Sequence, residues 1–345
     1  MTTVAHGLEG VVVAETKLSH VDGERGELII AGARVDDLSG VVRFEDVAAR
    51  LWGQAVVDLG PARVAAFERL GSLGSALALE DGMDALRAAV GQLPSTLDAA
   101  HVTAAVGVFA AAWARKRAGL APVRPDPKLG HAEDVLRMIK GEAAAPLAAA
   151  LDAYLVAVVD HGMNASTFTA RVIASTRSDL VSAVTGAIGA LKGPLHGGAP
   201  GPVLDMLEAV GRPENAEAWL RTELEAGRRV MGMGHRVYRV RDPRAAVLER
   251  AVEKLETQGV SSSRLTLARA VERVATRVLA QKYPDRSLQA NVEFYTAVLL
   301  DVVGLPRTVF TPMFAVGRVA GWCAHVAEQA ATGRLIRPES KYVGP

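Results

Sequence analysis

The stretch Met231–Arg244 reads Met-Gly-Met-Gly-His-Arg-Val-Tyr-Arg-Val-Arg-Asp-Pro-Arg and concentrates groups able to do chemistry. His235 follows Gly232 and Gly234, whose missing side chains let the backbone take positive φ or approach a ligand closely. Asp242-Pro243 has the form of an N-cap followed by a first helical residue, which puts Arg244 in a helix's opening turn. Cations there oppose the helix dipole, a conflict that an anion among the arginines relieves. The expectation is an anion site with a polarising histidine. Two further histidines share the setting of His235: His161 and His196 also sit beside glycine at breaks between helical stretches. Glycine-flanked loops at helix ends are where ligand-facing side chains gather. The other five (His6, His20, His101, His131 and His325) read as structural.

Glu293 lies two residues past Asn291, in the first turn of an otherwise apolar helix. The helix N-terminus favours its charged form while apolar neighbours raise its pKa, so a capping and a proton-transfer role are both open. Arg318 falls four residues after Phe314 and four before Trp322, on a stripe of apolar character. A buried arginine needs a carboxylate partner, from the protein or from a ligand. Arg337 sits in a tail without periodicity; spacing does not separate a surface charge from a contact with a second subunit.

Other chemistries are excluded by what is missing. No Gly-Lys pair exists for a phosphate loop, and no His-Glu-x-x-His for a zinc helix. Gly232-x-Gly234 lacks the third glycine and the preceding strand of a dinucleotide fingerprint. His196-Gly197-Gly198 has no Gly-x-Ser-x-Gly to supply a nucleophile. None of the eight histidines has ligand spacing with a carboxylate or thiol, so no metal is expected. With 39 basic and 38 acidic residues the chain is not built for nucleic acid or a membrane surface. The one cysteine, Cys323, suits a reducing cytoplasm. No signal peptide is read at the N-terminus, and the longest apolar run, Val102 to Ala114, is too short to span a bilayer.

These residues are positioned by elements that read almost wholly helical. Half the residues are hydrophobic but only 5% are aromatic, which favours tightly packed helices. One short hairpin is expected within 8–32, with Val11–Val13 and Leu28–Ile30 flanking a turn at Asp22-Gly23. Helices are expected at 44–51, 61–70, 82–90, 101–118, 131–139, 146–160 and 165–177. Others run from Ser178 to a stop at Gly193, as two short helices within 201–227, after Pro243, over 264–281, from cap Asn291 to Gly304, and from Thr311 to about Ala331. About fifteen helices and one hairpin make an all-α fold.

Six segments, taken together and in order, resemble the citrate synthase family over essentially the whole chain. They are Gly7-Leu-Glu-Gly-Val11, His161-Gly-Met-Asn-Ala-Ser-Thr167, Gly193-Pro-Leu-His-Gly-Gly-Ala199, the Met231–Arg244 stretch, Asn291-Val-Glu-Phe-Tyr295, and Arg337-Pro with Tyr342-Val-Gly344. The resemblance implies a homodimer of two-domain helical subunits, with 1–197 and 305–345 as the large domain. A small domain, 198–304, would close over oxaloacetate and receive acetyl-CoA, with no permanently bound cofactor. It further implies that His196 donates to the thioester carbonyl, that His235 polarises the oxaloacetate ketone, and that Glu293 is the general base. His161, Asn164, Arg244 and Arg318 match oxaloacetate-holding positions, and Arg337 matches an arginine contributed by the partner subunit. Arg239 matches a CoA-phosphate position and the Met231-Gly232-Met233-Gly234 backbone an adenine-recognition turn. Lys282 and Arg286 join the CoA set from charge and location alone.

One departure stands out. Most of the family carries aspartate where this chain has Glu293, and one extra methylene moves the carboxylate by ~1.5 Å. Misplacement of that order can cost ~10²-fold in rate. The chain resembles a short bacterial or archaeal-type subgroup of the family with glutamate here, so the expectation is a Glu293 backbone set further back, rather than low activity or a different acyl substrate. Beside acetyl-CoA, a 2-methylcitrate synthase using propionyl-CoA and a non-catalytic oxaloacetate- or CoA-binding homologue therefore stand as alternatives.

Overall fold

Local capping chemistry sets most of the element boundaries. The computed structural model describes residues 6–8, 10–198, 200–260 and 263–345; Glu9 and Ala199, each within a motif quoted above, lie outside the described residues. Three short antiparallel strands open the fold in the order β1 (Ser19–Asp22), β2 (Glu27–Ile30) and β3 (Ala33–Arg34), with Ser19 opposite Ile30 and Ile29 opposite Arg34. The expected first strand at Val11–Val13 does not form. Val12 is 86% exposed, with nothing to cover a strand face there. Ser19–Asp22 pairs instead with Glu27–Ile30, whose Leu28 and Ile30 are buried. Valine content predicts a strand only where a partner and a buried face await it.

Fifteen α-helices follow among the described residues. The first half holds α1 (Val35–Leu38), α2 (Phe44–Trp52), α3 (Gly60–Glu68), α4 (Gly82–Val90), α5 (Ala99–Arg117), α6 (His131–Lys140), α7 (Ala145–Val158), α8 (Ala165–Ser175) and α9 (Leu180–Leu191). Then come α10 (Pro200–Val210), α11 (Ala216–Glu225), α12 (Pro243–Thr257), α13 (Ser263–Lys282), α14 (Val292–Val303) and α15 (Phe310–Thr332). The all-α expectation holds. The α5 helix is buried from Val102 to Ala114, and its last turn places Arg115, Lys116 and Arg117 at the negative end of its dipole. Asp98 caps its start by accepting the His101 N–H at 2.9 Å.

Helix α15 runs through the core against α2, α4, α5, α7, α8 and α9. Small residues make this possible. A Cβ on Gly317 would lie 2.5 Å from a Val158 methyl, and one on Gly321 would lie 2.1 Å from the Val159 carbonyl oxygen. Glycine at i and i+4 thus lets α15 press onto the C-terminal end of α7, where the chain breaks before His161. From the other side α12 and α14 also pack on α7. Helix α7 is thus packed by α12 and α14 as well as by α15. Among the described residues no single helix is long and apolar enough to cross a membrane.

Candidate active site

The break after α7 carries His161. Gly162 turns at φ +55°, and Asn164 caps α8 by accepting the Thr167 N–H at 3.1 Å. Just before it, buried Asp160 is held by His325 of α15, whose Nε2 lies 3.1 Å from the carboxylate. Arg171 donates to the other ring nitrogen of His325 at 3.0 Å, so Nε2 carries the proton that Asp160 receives. Burial opposes the Asp160 charge, yet His325 and then Arg318 hold its carboxyl below the ordinary range. His325, expected to be structural, is so: it fastens the chain one residue before His161.

The three histidines expected from sequence are brought together. The His161 and His235 rings lie edge to face at 5.4 Å, and Tyr238 OH sits 3.1 Å from His161 Nε2. His235 Nδ1 accepts the backbone N–H groups of Val237 and Tyr238 at 3.0 and 3.1 Å. Its proton must therefore be on Nε2, which makes the ring a neutral, oriented donor. Burial, then the Arg244 charge, push His235 down to about 4. Burial, then Arg318 and Arg244, push His196 down to about 4 as well. Burial also holds His161 well below its usual value, helped by Arg244, His235 and Arg318. All three imidazoles are neutral at pH 7.

His196 is oriented by Ser166, whose Oγ lies 2.8 Å from its Nε2. The same oxygen accepts the Trp322 indole N–H at 3.1 Å and lies 2.8 Å from Asn164 Oδ1. One hydroxyl proton faces two acceptors there. When it goes to His196, the ring's Nδ1–H is left as the free donor. Ser166 and Trp322 escaped the sequence reading; serine in a helix's first turn has no distinguishing signal of its own.

Asp242 is the second group that sequence reading undervalued. It caps α12 as expected, accepting the Arg244 N–H at 2.9 Å, but it is also a buried junction. Its carboxylate takes the Arg244 guanidinium on both oxygens, at 3.0 and 2.7 Å, and accepts the Val292 N–H at 3.1 Å. The anion expected beside Arg244 is thus supplied by its own chain, and it ties the starts of α12 and α14 together. In the next residue of α14, burial raises the Glu293 carboxyl to about 7; Asp242 adds to this and Arg244 opposes it. A carboxyl raised in this way is matched to proton transfer near neutral pH.

The turn at 231–234 is strapped to the same helix start. Gly234 N–H donates to Gln289 O at 2.7 Å, Asn291 N–H to Gly232 O at 2.9 Å, and Asn291 Nδ2 to Gly234 O at 2.9 Å. Gly232 has φ +74°, and a Cβ there would lie 2.9 Å from the Phe294 side chain. Only glycine lets this turn lie on α14.

Arg318 completes the cluster. It is 1% exposed, donates through Nε to the Val158 carbonyl and lies over the Phe314 ring at 5.0 Å. No carboxylate among the described residues pairs with it, and burial draws it down to about 10. It is a desolvated cation whose charge is favoured only at longer range by Asp160.

Of the other expected site residues, Asn164 adjoins this cluster through Ser166, and the rest form no hydrogen bond or ion pair with it among the described residues. The Asn164 amide is occupied with the α8 cap and donates to the His161 and Gly162 carbonyls at 3.4 and 3.3 Å. Arg337 is exposed in the extended tail, next to Ile336, whose N–H donates to Ser175 Oγ at 3.0 Å. Arg239 is exposed, its backbone N–H bonded to Gly23 O at 2.9 Å in the strand turn. Lys282 donates to the Leu224 carbonyl at the end of α11, and Arg286 lies 5.9 Å from the Tyr283 ring. Met231 and Met233 are partly buried, and Met233 bridges to Ala290.

Comparison with known proteins gives the family of the chain. The family profile described as "Citrate synthase, C-terminal domain" matches residues 7–339. The chain is 40% identical to a putative citrate synthase 2 of Mycobacterium tuberculosis, over 98% of the chain and 92% of that protein. It is 39% identical to a citrate synthase of Haloferax volcanii (98% and 95%) and 38% identical to a 2-methylcitrate synthase of M. tuberculosis (99% and 91%). Among solved structures, citrate synthase of Thermotoga maritima superposes with a TM-score of 0.87 at 34% identity, covering 99% of this chain and 96% of that one. The Thermoplasma acidophilum citrate synthase, solved with carboxymethyl coenzyme A and oxaloacetate, gives 0.89 at 27% identity, covering 100% and 97%. By profile, sequence and structure the chain belongs to the citrate synthase family, whose members are acyltransferases.

Proposed function

We propose that the protein condenses acetyl-CoA with oxaloacetate to citrate and CoA. The observation that carries this reading is the edge-to-face pair His161–His235, with buried Arg244 tied through Asp242 to Val292, the residue before Glu293, and with buried Arg318 lacking a carboxylate among the described residues. Glu293 takes a methyl proton from acetyl-CoA while His196 donates to the thioester oxygen, giving the enol. The enol carbon attacks the oxaloacetate ketone, and His235 Nε2–H steadies the alkoxide that forms there. Water then cleaves the thioester of citryl-CoA, releasing citrate and CoA. Neutral histidines suit both oxygens, because a donor that keeps its proton stabilises developing charge without needing to be recharged. Arg318 and Arg244, with His161 and Asn164 beside them, hold the substrate's carboxylates.

Residues 198–304 act in this reading as a smaller unit that closes on the remainder, 1–197 and 305–345, keeping water from the thioester until condensation. In its favour, α10, α11, α13 and α14 pack on one another, and the contact with α7 runs through α12 and α14. Met231–Gly234 lies along the CoA adenine, with Arg239, Lys282 and Arg286 toward the phosphates. Arg337 serves the partner's site across a homodimer, in the cytoplasm.

The 2-methylcitrate synthase relative, at nearly the same identity as the citrate synthases, favours one alternative: propionyl-CoA as acyl donor. Thiol release measured with oxaloacetate and either acyl-CoA, on the wild type and on Glu293→Asp, decides between them. Faster turnover of propionyl-CoA would overturn acetyl-CoA as the substrate, and no release with either would leave only a binding protein.

A further inference from the structure

Tyr154 lies on α7, one helical turn before Val158, and is fully buried. Its hydroxyl has no hydrogen-bond partner among the described residues. A buried phenol left in that condition costs stability, and phenylalanine would fill the same space without the cost. The hydroxyl therefore calls for an acceptor from elsewhere. Among the helices that pack on α7, α12, α14 and α15 carry Arg244, Glu293 and Arg318. The phenol lies within electrostatic reach of Arg318, Glu293 and Arg244. Its position is set by the same helix face that seats Arg318, because residues at i and i+4 are neighbours and the Val158 carbonyl accepts the Arg318 Nε–H. Phe314 lies under that guanidinium at 5.0 Å and fixes its plane.

Among the described residues, two donors thus stand one helical turn apart along α7, a phenol without an acceptor and a guanidinium, held at Val158, without a carboxylate. We propose that Tyr154 is a further substrate-binding residue, whose hydroxyl donates a hydrogen bond to the oxaloacetate carboxylate held by Arg318. This rests on the reading of the site as an oxaloacetate site. Burial keeps the phenol protonated well above its ordinary range, so it remains a donor at every working pH. A neutral donor beside a charged one also suits the place. It adds a bond to the substrate without adding a second unpaired cation to a buried site that must stay folded when empty.

The test is Tyr154→Phe, with KM measured separately for oxaloacetate and acetyl-CoA, and with thermal melting measured with and without oxaloacetate. The KM for oxaloacetate rises about tenfold, the loss expected for one hydrogen bond to a charged group. The KM for acetyl-CoA stays within about twofold, and the ligand-free protein melts no lower than wild type, because the hydroxyl removed was unpaired. Stabilisation by oxaloacetate shrinks accordingly. An unchanged KM for oxaloacetate overturns the proposal. So does a rise of both KM values together with a lower ligand-free melting temperature, which marks a merely structural role. Wild type and Arg318→Lys serve as controls. If oxaloacetate fails to stabilise the wild type, the oxaloacetate site itself falls, and the role of Tyr154 with it.

Discussion

Replacing Glu293 by glutamine sets the stability of the fold against its chemistry. Burial carries this carboxyl from its ordinary 4.5 up to about 7, a preference for the neutral acid of about 3 kcal/mol. The sign follows from proton counting. Between those two pH values the folded chain keeps a proton that the unfolded chain has lost, so stability falls as pH rises through the window. The penalty is complete above about pH 7 and nearly absent at pH 4.5. Glutamine, neutral throughout, escapes it. Glu293→Gln is therefore more stable than wild type at pH 8 by about 3 kcal/mol, and by less than about 1 kcal/mol at pH 5. For a chain of 345 residues the larger figure is a rise of about 4 °C in melting temperature. Turnover moves the other way. Removing the base costs ~10²–10⁴-fold in kcat, while wild-type kcat/KM climbs with pH through about 7 as the carboxylate forms. Melting curves of the two ligand-free proteins at both pH values, beside thiol release, provide the assay. A variant no more stable than wild type at pH 8, or equally stabilised at both pH values, would falsify the account of Glu293 as a destabilised base. Retained turnover would remove it from the chemistry.

Two other substitutions probe the supports of the site. Ser166→Ala removes the hydroxyl shared by His196, Trp322 and Asn164. It leaves the buried indole N–H unsatisfied and should cost ~1–3 kcal/mol in denaturant melts, with kcat down about tenfold through a loosened His196. An unaltered kcat would show that His196 does not depend on this contact. Asp242→Ala strips the counter-charge from buried Arg244 and frees the Val292 N–H. A loss of about 3–5 kcal/mol is expected by chemical denaturation; a loss under about 1 kcal/mol would mean that Arg244 finds another partner at no cost.

Much of the fold was legible because its cues are local. Asn291 and Gly304 bracket α14 as a side-chain cap and a left-handed stop, and both work through neighbouring backbone groups. The same holds for Asp242-Pro243 at the start of α12. The strands were harder. Val11–Val13 has the composition of a strand, but pairing is decided by what lies opposite, and Ser19–Asp22 holds that place.

The site divides along the same line. Residue type and glycine-flanked placement singled out His161, His196 and His235, since a helix break that exposes an imidazole is written in the chain itself. Ser166, Trp322 and the full role of Asp242 were not visible, because their meaning lies in partners 30, 156 or 50 residues away. The amino-acid order alone determined most of the helices, though not the short α1, and which chemical groups stand at their ends. Only packing decided the charge states: burial and neighbouring guanidiniums make three histidines neutral, raise Glu293 to about 7, and leave Arg318 without a carboxylate. Proton affinity depends on the solvent and charges around a group, and those arise when Gly317 and Gly321 let α15 settle against the end of α7.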